Sequence, residues 1–247
     1  MDSQDRINFK LGAKSQILDH IGFYILLSIL WIALNWIGGM VYERSANVFT
    51  QTLWSNGGTT VSGFFSFGWL LIIAGSMMRA GTRLTMIDID RGTAELDNPI
   101  QRSFKLFDNG RYFLGWIFIG ILITIFTLLW SLLLIVPGFI KSYSYSQAFF
   151  LYRDAVDKGE ELSPLQAITK SRQMMDGNKA FLFIMDLSFI GWFLLSMITF
   201  GLAGLFVQPY YDMARAKFFT QLVVRHDEPQ ATFVDDEHND NNGNGVE

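Results

Sequence analysis

The sequence predicts an all-α integral membrane protein, and three observations carry that prediction. Charged residues make up only 17% of the 247 positions, whereas soluble domains carry about a quarter. Their distribution is uneven, because charge-free apolar runs of roughly 18 residues or more, enough helix to cross a ~30 Å hydrocarbon layer, alternate with short charged stretches. The apolar runs are also continuous instead of alternating at every second residue, which excludes a transmembrane β-barrel.

Taken in order, residues 5 to 18 carry a weak apolar stripe with mixed charge, which predicts a short helix lying at the interface. Span one is expected over Ile21 to Met40. It is too long for a signal-peptide core and lacks a small-x-small cleavage site after it, so it reads as uncleaved. A polar loop from Val41 to Thr60 leads to span two, Val61 to about Arg79, where Gly63, Gly68 and Gly75 would let helices approach closely. In the next connection, Arg79 to Arg111, Asn98-Pro99 reads as a helix start with Asn as cap and Pro at the first position, and Ile100, Phe104 and Phe107 fall on one face. Span three runs from Tyr112 to about Leu132. Pro137-Gly138 then makes a tight outer turn into span four, Pro137 to about Arg153.

The connection from Asp154 to Lys179 copies the earlier one. Gly159 and Ser163-Pro164 stand where Gly92 and Asn98-Pro99 stood, Gly177 stands where Gly110 stood, and Leu165, Ile168 and Met175 supply the apolar stripe. Span five covers Ala180 to about Phe200 and span six about Gly204 to Gln221, with Pro209 in the place of Pro137. The expected architecture is therefore six transmembrane helices arranged as three repeated units of an interfacial helix plus a helical hairpin, about 1–91, 92–158 and 159–225. Internal duplication about a pseudo-axis is common in membrane folds.

Threading six spans with both termini in the cytoplasm puts seventeen of the nineteen Lys and Arg residues inside, as the positive-inside rule requires. Arg44 falls outside and Lys141 within a span. A single long span over Phe113 to Val136, with residues 139 to 153 not crossing, would instead strand the five basic residues between Arg153 and Lys179 on the outer face. The expected location is the cytoplasmic membrane.

From His226 to Glu247 the chain has seven acids and no Lys or Arg, with almost nothing to bury. This predicts a disordered, solvated acidic tail, with a docking tail as the alternative. Residues 1–225 carry nineteen basic and sixteen acidic side chains, a balance suited to anionic head groups. Membrane lipids are thus the expected partners, with an unknown membrane-protein partner or a second copy left open. The basic residues follow topology, and no basic-aromatic arrangement points to nucleic acid.

Chemistry has few places to sit. There is no cysteine, hence no thiolate nucleophile or Cys-based metal site. The sequence contains no HExxH, GxSxG, P-loop or strand-to-helix GxGxxG. The three histidines, His20, His226 and His238, lie at a span entrance and in or beside the tail. No catalytic residue, cofactor or metal is expected. Polar groups concentrate in the even-numbered spans, which should therefore line the interior while the odd spans face lipid. Lys141, Tyr145, Asp186, Tyr211, Asp212 and Arg215 are the candidate intramembrane polar site. Lys141 with Asp212 is the ion pair to test first. Against it stands a plainer alternative, with Lys141 snorkelling outward and Asp212 pairing locally with Arg215.

Three strings, IVPGFIKSYSYSQAFFLYRD, GNKAFLFIMDLSFIGWFLL and GLFVQPYYDMARAKFFTQL, resemble the bacterial integral-membrane family known as domain of unknown function 975 (DUF975). The resemblance extends over nearly all of residues 1 to 225, and it implies a multi-span protein of the cytoplasmic membrane with no established activity. Phe219 departs from the pattern, where a Tyr is usual. The first functional expectation is a non-enzymatic envelope scaffold, regulator or accessory protein. The alternative is a transporter of small molecules or lipids with a polar cavity between spans two, four and six.

Overall fold

The computed structural model describes residues 1–56 and 67–227, the side chains of 45–56 excepted. Among the described residues every regular element is helical: α1 (Ser3–Asp19), α2 (Ile21–Asn56), α3 (Phe67–Asp90), α4 (Pro99–Arg102), α5 (Gly110–Leu133), α6 (Ile135–Tyr145), α7 (Ala148–Asp157), α8 (Pro164–Met174), α9 (Lys179–Leu187), α10 (Ile190–Ile198) and α11 (Gly204–Asp227), with a 3-10 turn at Lys105–Phe107. Four segments are long and apolar enough to cross a membrane, Ile21–Arg44, Phe67–Asp90, Gly110–Leu133 and Lys179–Ile198. They coincide with the expected spans one, three and five and overlap span two, which runs on to Asp90 where it was expected to end near Arg79; its expected start at Val61 lies outside the described residues. The stretches expected as spans four and six are helical but more polar, with Arg153, Asp154 and Asp157 on α7 and Asp212, Arg215 and Lys217 on α11. The polar loop expected from Val41 differs, since α2 continues to Asn56. Gly63 and the acidic tail beyond residue 227 lie outside the described residues.

Side-chain contacts order the helices into antiparallel pairs. Along α2 and α3, Tyr42 meets Trp69, Gly38 meets Gly68 and Ile72, Asn35 meets Gly75, and the Thr82 hydroxyl donates to the Leu27 carbonyl. Along α5, the partners come from α6 and α7 in reverse order. Ser131 packs on Gly138, Trp130 holds Lys141, Phe126 touches Tyr145, Gly115 receives the Tyr152 ring, and the Tyr112 hydroxyl donates to Asp157. In the third pair, Trp192 packs on Phe206, Phe189 on Tyr210 and Phe181 on Phe218. Each pair therefore stays in register along its whole length.

The glycines at the first pair show how tightly it closes. A Cβ at Gly68 would lie 2.6 Å from the Tyr42 amide nitrogen and 2.7 Å from the Gly38 carbonyl oxygen, both backbone atoms that cannot swing away. Gly39, one residue from that contact, has open space. Gly68→Ala is expected to cost about 1–3 kcal/mol by overpacking, while Gly39→Ala is neutral or slightly stabilising because Ala is the better helix former. Thermal unfolding of both variants in mild detergent checks this, and equal melting temperatures would refute the close approach.

Short segments between the pairs pack back on the bundle. α1 begins with a capping box between Asp2 and Asp5 and buries Phe9, Ala13 and Ile17, one per turn. Its neighbours are on the last pair: Phe9 meets Phe181, Lys10 donates to Ser188, Gly12 faces Lys217 and Asp5 pairs with Arg225. The Asp5 carboxyl is held below the usual carboxylate range, first by the Asp2 backbone N–H and then by Arg225. α4 and the turn after it pack on α3, where Gly81 leaves room for the Ser103 carbonyl and Thr85 donates to the Arg102 carbonyl. α8, opened by the expected Ser163-Pro164 start and a Ser163/Gln166 capping box, packs Ala167 and Ile168 against Ile119, Tyr145 and Ala148.

The stripe expected at Ile100, Phe104 and Phe107 is exposed, whereas Ser103 and Leu106 of the same segment are buried. The reason is length. α4 is a single turn followed by a 3-10 turn, so the segment presents its small and turn-facing residues to the bundle and its aromatics outward. Gly92 and Gly159 adopt φ of +70° and +72° and end α3 and α7 in the same way. In each, the glycine N–H and the next N–H reach back to carbonyls of the last turn, the Schellman arrangement.

Candidate functional site: a buried arginine-aspartate chamber

α3 and α11 each turn one polar stripe toward the other. Arg79, Arg83 and Ile87 recur every fourth residue on α3, as do Gln208, Asp212 and Ala216 on α11, so each set shares a helical face. Asp212 is fully buried and takes both arginines. Arg79 donates from Nε to Oδ2 at 3.2 Å and from Nη2 to Oδ1 at 3.0 Å, and Arg83 donates from Nε to Oδ1 at 2.9 Å. The remaining reach of Arg79 goes to Gln208 Oε1 at 3.4 Å, and its guanidinium lies 4.5 Å from the centre of the Trp31 ring, a cation–π contact.

A second constellation adjoins it. Arg215 donates from Nη1 to the Tyr211 hydroxyl at 2.8 Å and lies 3.8 Å from Asp186 Oδ2. The Tyr143 hydroxyl donates to the same Asp186 oxygen at 3.1 Å, and Asp186 Oδ1 is buried with no hydrogen-bond partner among the described residues. Between the two constellations is a cavity of about 250 Å³ bounded by Arg83, Ser146, Gln147, Phe150, Asp212 and Arg215. On the other side of Arg83 a further cavity of about 290 Å³ reaches Ser76, Arg79 and Trp116. Three guanidiniums thus face two carboxylates, leaving an excess of positive charge around a partly enclosed space.

The wall supplied by Ser146 and Gln147 is the break between α6 and α7, and its cause is local. Hydroxyls of Ser142, Ser144 and Ser146 donate to carbonyls three or four residues back, those of Phe139, Ile140 and Tyr143, in competition with the helical ladder. Ser171 of α8 completes the interruption, donating to the Ser144 carbonyl at 2.8 Å and accepting the Gln147 backbone N–H at 3.3 Å. An outside hydroxyl inserted into the ladder is a recognised cause of a kink.

Of the residues singled out from the sequence, Asp186, Tyr211, Asp212 and Arg215 come together at this chamber. Lys141 and Tyr145 do not. Lys141 points to α5, 4.8 Å above the Trp130 ring, and Tyr145 packs against Phe126. The Lys141–Asp212 pair therefore does not form, and neither does the local Asp212–Arg215 pair, because Asp212 faces α3 while Arg215 faces α9. Arg79 and Arg83, which the positive-inside count had assigned to topology, are the true partners of Asp212. Their spacing of four residues was the available signal. α3 and α11 bury most of the polar cluster and α5 buries only Gly115 and Ile119, but α2 and α9, expected to face lipid, also bury Tyr24, Leu27, Phe181, Leu182 and Met185.

A second ionic cluster ties α3 to α7 without bounding the chamber. Arg153 contacts Asp88 at 2.5 Å, Asp154 at 3.5 Å and Asp157 at 2.7 Å. The last is an ionic contact off the hydrogen-bonding direction, since Nε has no aligned partner. Lys105 also reaches Asp88, and Arg91 grips Asp154 through two nitrogens at 2.9 and 2.7 Å. Among the described residues no group of acidic or histidine side chains is placed to hold a metal ion.

Compared with known families, residues 132–226 match the one described as a protein of unknown function (DUF975). This covers the stretch from the end of α5 to α11. No curated protein and no solved structure matches the chain.

Proposed function

From this geometry, and from the match of residues 132–226 to the DUF975 family, we propose a non-enzymatic multi-pass membrane protein that takes a small anionic solute into the chamber between α3, α7 and α11. The observation that carries the reading is the excess of guanidinium around a cavity of about 250 Å³. That space is large enough for several waters or one small solute. Asp212 is consumed by Arg79 and Arg83, whereas Arg215 meets its carboxylate only at 3.8 Å and retains donors for a ligand. Ser146 and Gln147 add neutral polar groups at a helix break, a common construction where irregular backbone lines a cavity.

The proposal includes six spans in three units, with both termini in the cytoplasm of a cell membrane. The antiparallel course of α6 and α7 along α5, and of α11 along α9 and α10, supports the two spans that composition alone leaves out. The cyclic docking of the connecting segments supports the units. α1 packs on the third pair, α4 on the first and α8 on the second, so each short segment leans on the hairpin preceding its own.

Because the chain has no native cysteine, single cysteines report on both claims. Ser146→Cys and Ala216→Cys are expected to react in the folded protein, and faster with an anionic than a cationic methanethiosulfonate once intrinsic thiol reactivity is divided out. A charge-lined cleft raises the local concentration of the favoured ion by about tenfold or more. If both cysteines react only after denaturation, the interior is sealed and the envelope-scaffold reading takes its place. In intact cells Thr199→Cys should be labelled from outside and Lys158→Cys, beside the inner end of α5, should not; the reverse pattern would overturn the threading.

A further inference from the structure

A third cavity lies away from the chamber and shares none of its bounding residues. It measures about 320 Å³ and sits between α5, α6 and α8, with Lys141, Tyr145, Thr169 and Arg172 as its polar walls and Trp130 and Leu165 among its apolar ones. Its two cations differ from those of the interior. Arg79, Arg83, Arg153 and Arg215 each face a carboxylate, but among the described residues neither Lys141 nor Arg172 forms an ion pair or donates a hydrogen bond to the protein. Lys141 is held only by the face of Trp130 at 4.8 Å, and Arg172 is exposed.

Two uncompensated cations converging on one cavity, beside a Thr hydroxyl and a Tyr hydroxyl, form a site for a compact oxyanion. Charge-assisted bonds from Arg and Lys to phosphate oxygens are among the strong ones. The apolar share of the wall, and the exposed leucines of α5 at Leu128, Leu129 and Leu132, match a ligand that carries hydrocarbon with its phosphate. From this geometry we infer that Lys141 and Arg172 bind a phosphate group, the phosphodiester of an anionic lipid headgroup. Basic pockets between membrane helices are suited to such headgroups.

The test uses the full chain purified in neutral detergent, with micelles doped with phosphatidylglycerol or with phosphatidylcholine, and bound lipid counted by native mass spectrometry. Phosphatidylglycerol is expected to be retained in preference to phosphatidylcholine. Lys141→Gln and Arg172→Gln should each weaken its retention about fivefold, following the contribution of one basic residue near an anionic lipid, and together by more than tenfold, while Lys141→Arg keeps it. Thermal unfolding of each variant accompanies the binding data. Only a small stability loss is expected, since neither side chain has an ionic partner and Lys141 gives up just its contact with Trp130, and if the double variant fails to fold, the exposed Arg172→Gln alone carries the comparison. Equal retention of the two lipids, or unchanged retention by the double variant, overturns the site. Added inorganic phosphate separates the sources of the anion: failure to displace the lipid at millimolar concentration assigns the headgroup, and displacement assigns free phosphate to the same two cations.

Discussion

Asp212→Asn is expected to cost about 3–5 kcal/mol of stability, the loss typical of removing one member of a buried ionic group. Asp212 has no exposed side-chain surface, and its partners Arg79 and Arg83 are only 29% and 27% exposed. The native group carries one negative charge between two positive ones. Removing it leaves two guanidiniums one turn apart on α3, and the amide that replaces it can accept hydrogen bonds without balancing either charge. Asp212→Glu should recover part of the loss, because the charge survives and only its reach changes. Replacing Arg79 and Arg83 with Met and Asp212 with Leu together should recover most of it, since well-packed apolar residues can substitute for a buried ionic group as a whole. Unfolding in mild detergent reads all three. An Asp212→Asn protein that unfolds at the wild-type temperature, or a triple variant worse than the single one, would show that the group does not hold α3 to α11.

How much of this could be read in the sequence depends on what each feature answers to. The segments around Ile21–Arg44 and Gly110–Leu133 are legible because the solvent dictates them: an unbroken apolar run has one good place to go. The start at Ser163 is legible because a cap is a local requirement; the Asp2 cap, three residues before the expected start of α1, and the positive φ at Gly92 and Gly159, which the sequence marks only as matching positions of a repeat, are not foreseen. The break at Ser146–Gln147 is only half legible: the serines that compete with the ladder stand in the sequence, but Ser171, which takes the Gln147 amide, is brought there only by the packing of α8. The pairing of Asp212 is similarly hidden. Depth along a span is countable from sequence, which is how Lys141 and Asp212 became candidates, but azimuth is not. A few tens of degrees of rotation decide that Asp212 meets α3 and that Lys141 meets Trp130. Arg79 and Arg83 were visible all along as basic residues. The positive-inside rule explained them so well that their second role, as the counter-charge of an acid on another helix, left no further signal in composition.

Arg153→Met is expected to cost about 3 kcal/mol, for the same reason with the signs reversed. Its side chain is 7% exposed, and its three nitrogens point to three different carboxylates, those of Asp88, Asp154 and Asp157. Without it, those three acids face only Lys105 and Arg91, so one negative charge is left over in the seam between α3 and α7. Lys is a poor replacement. An ammonium is a single point of charge, whereas the guanidinium fork spans carboxylates that no one nitrogen could reach, so Arg153→Lys should retain less than half of the lost stability. The distinction from the Asp212 group lies in which helices part. Loss of Arg153 should loosen α7 from α3, and amide hydrogen exchange should rise in Ala148–Asp157 and at the end of α3 while Gly204–Asp227 keeps its protection. In Asp212→Asn the increase should fall on α11 instead. If both variants open the same helices to the same extent, the two clusters act as one network, and the chamber bounded by Arg83, Phe150 and Asp212 opens and closes as a unit with the seam beside it.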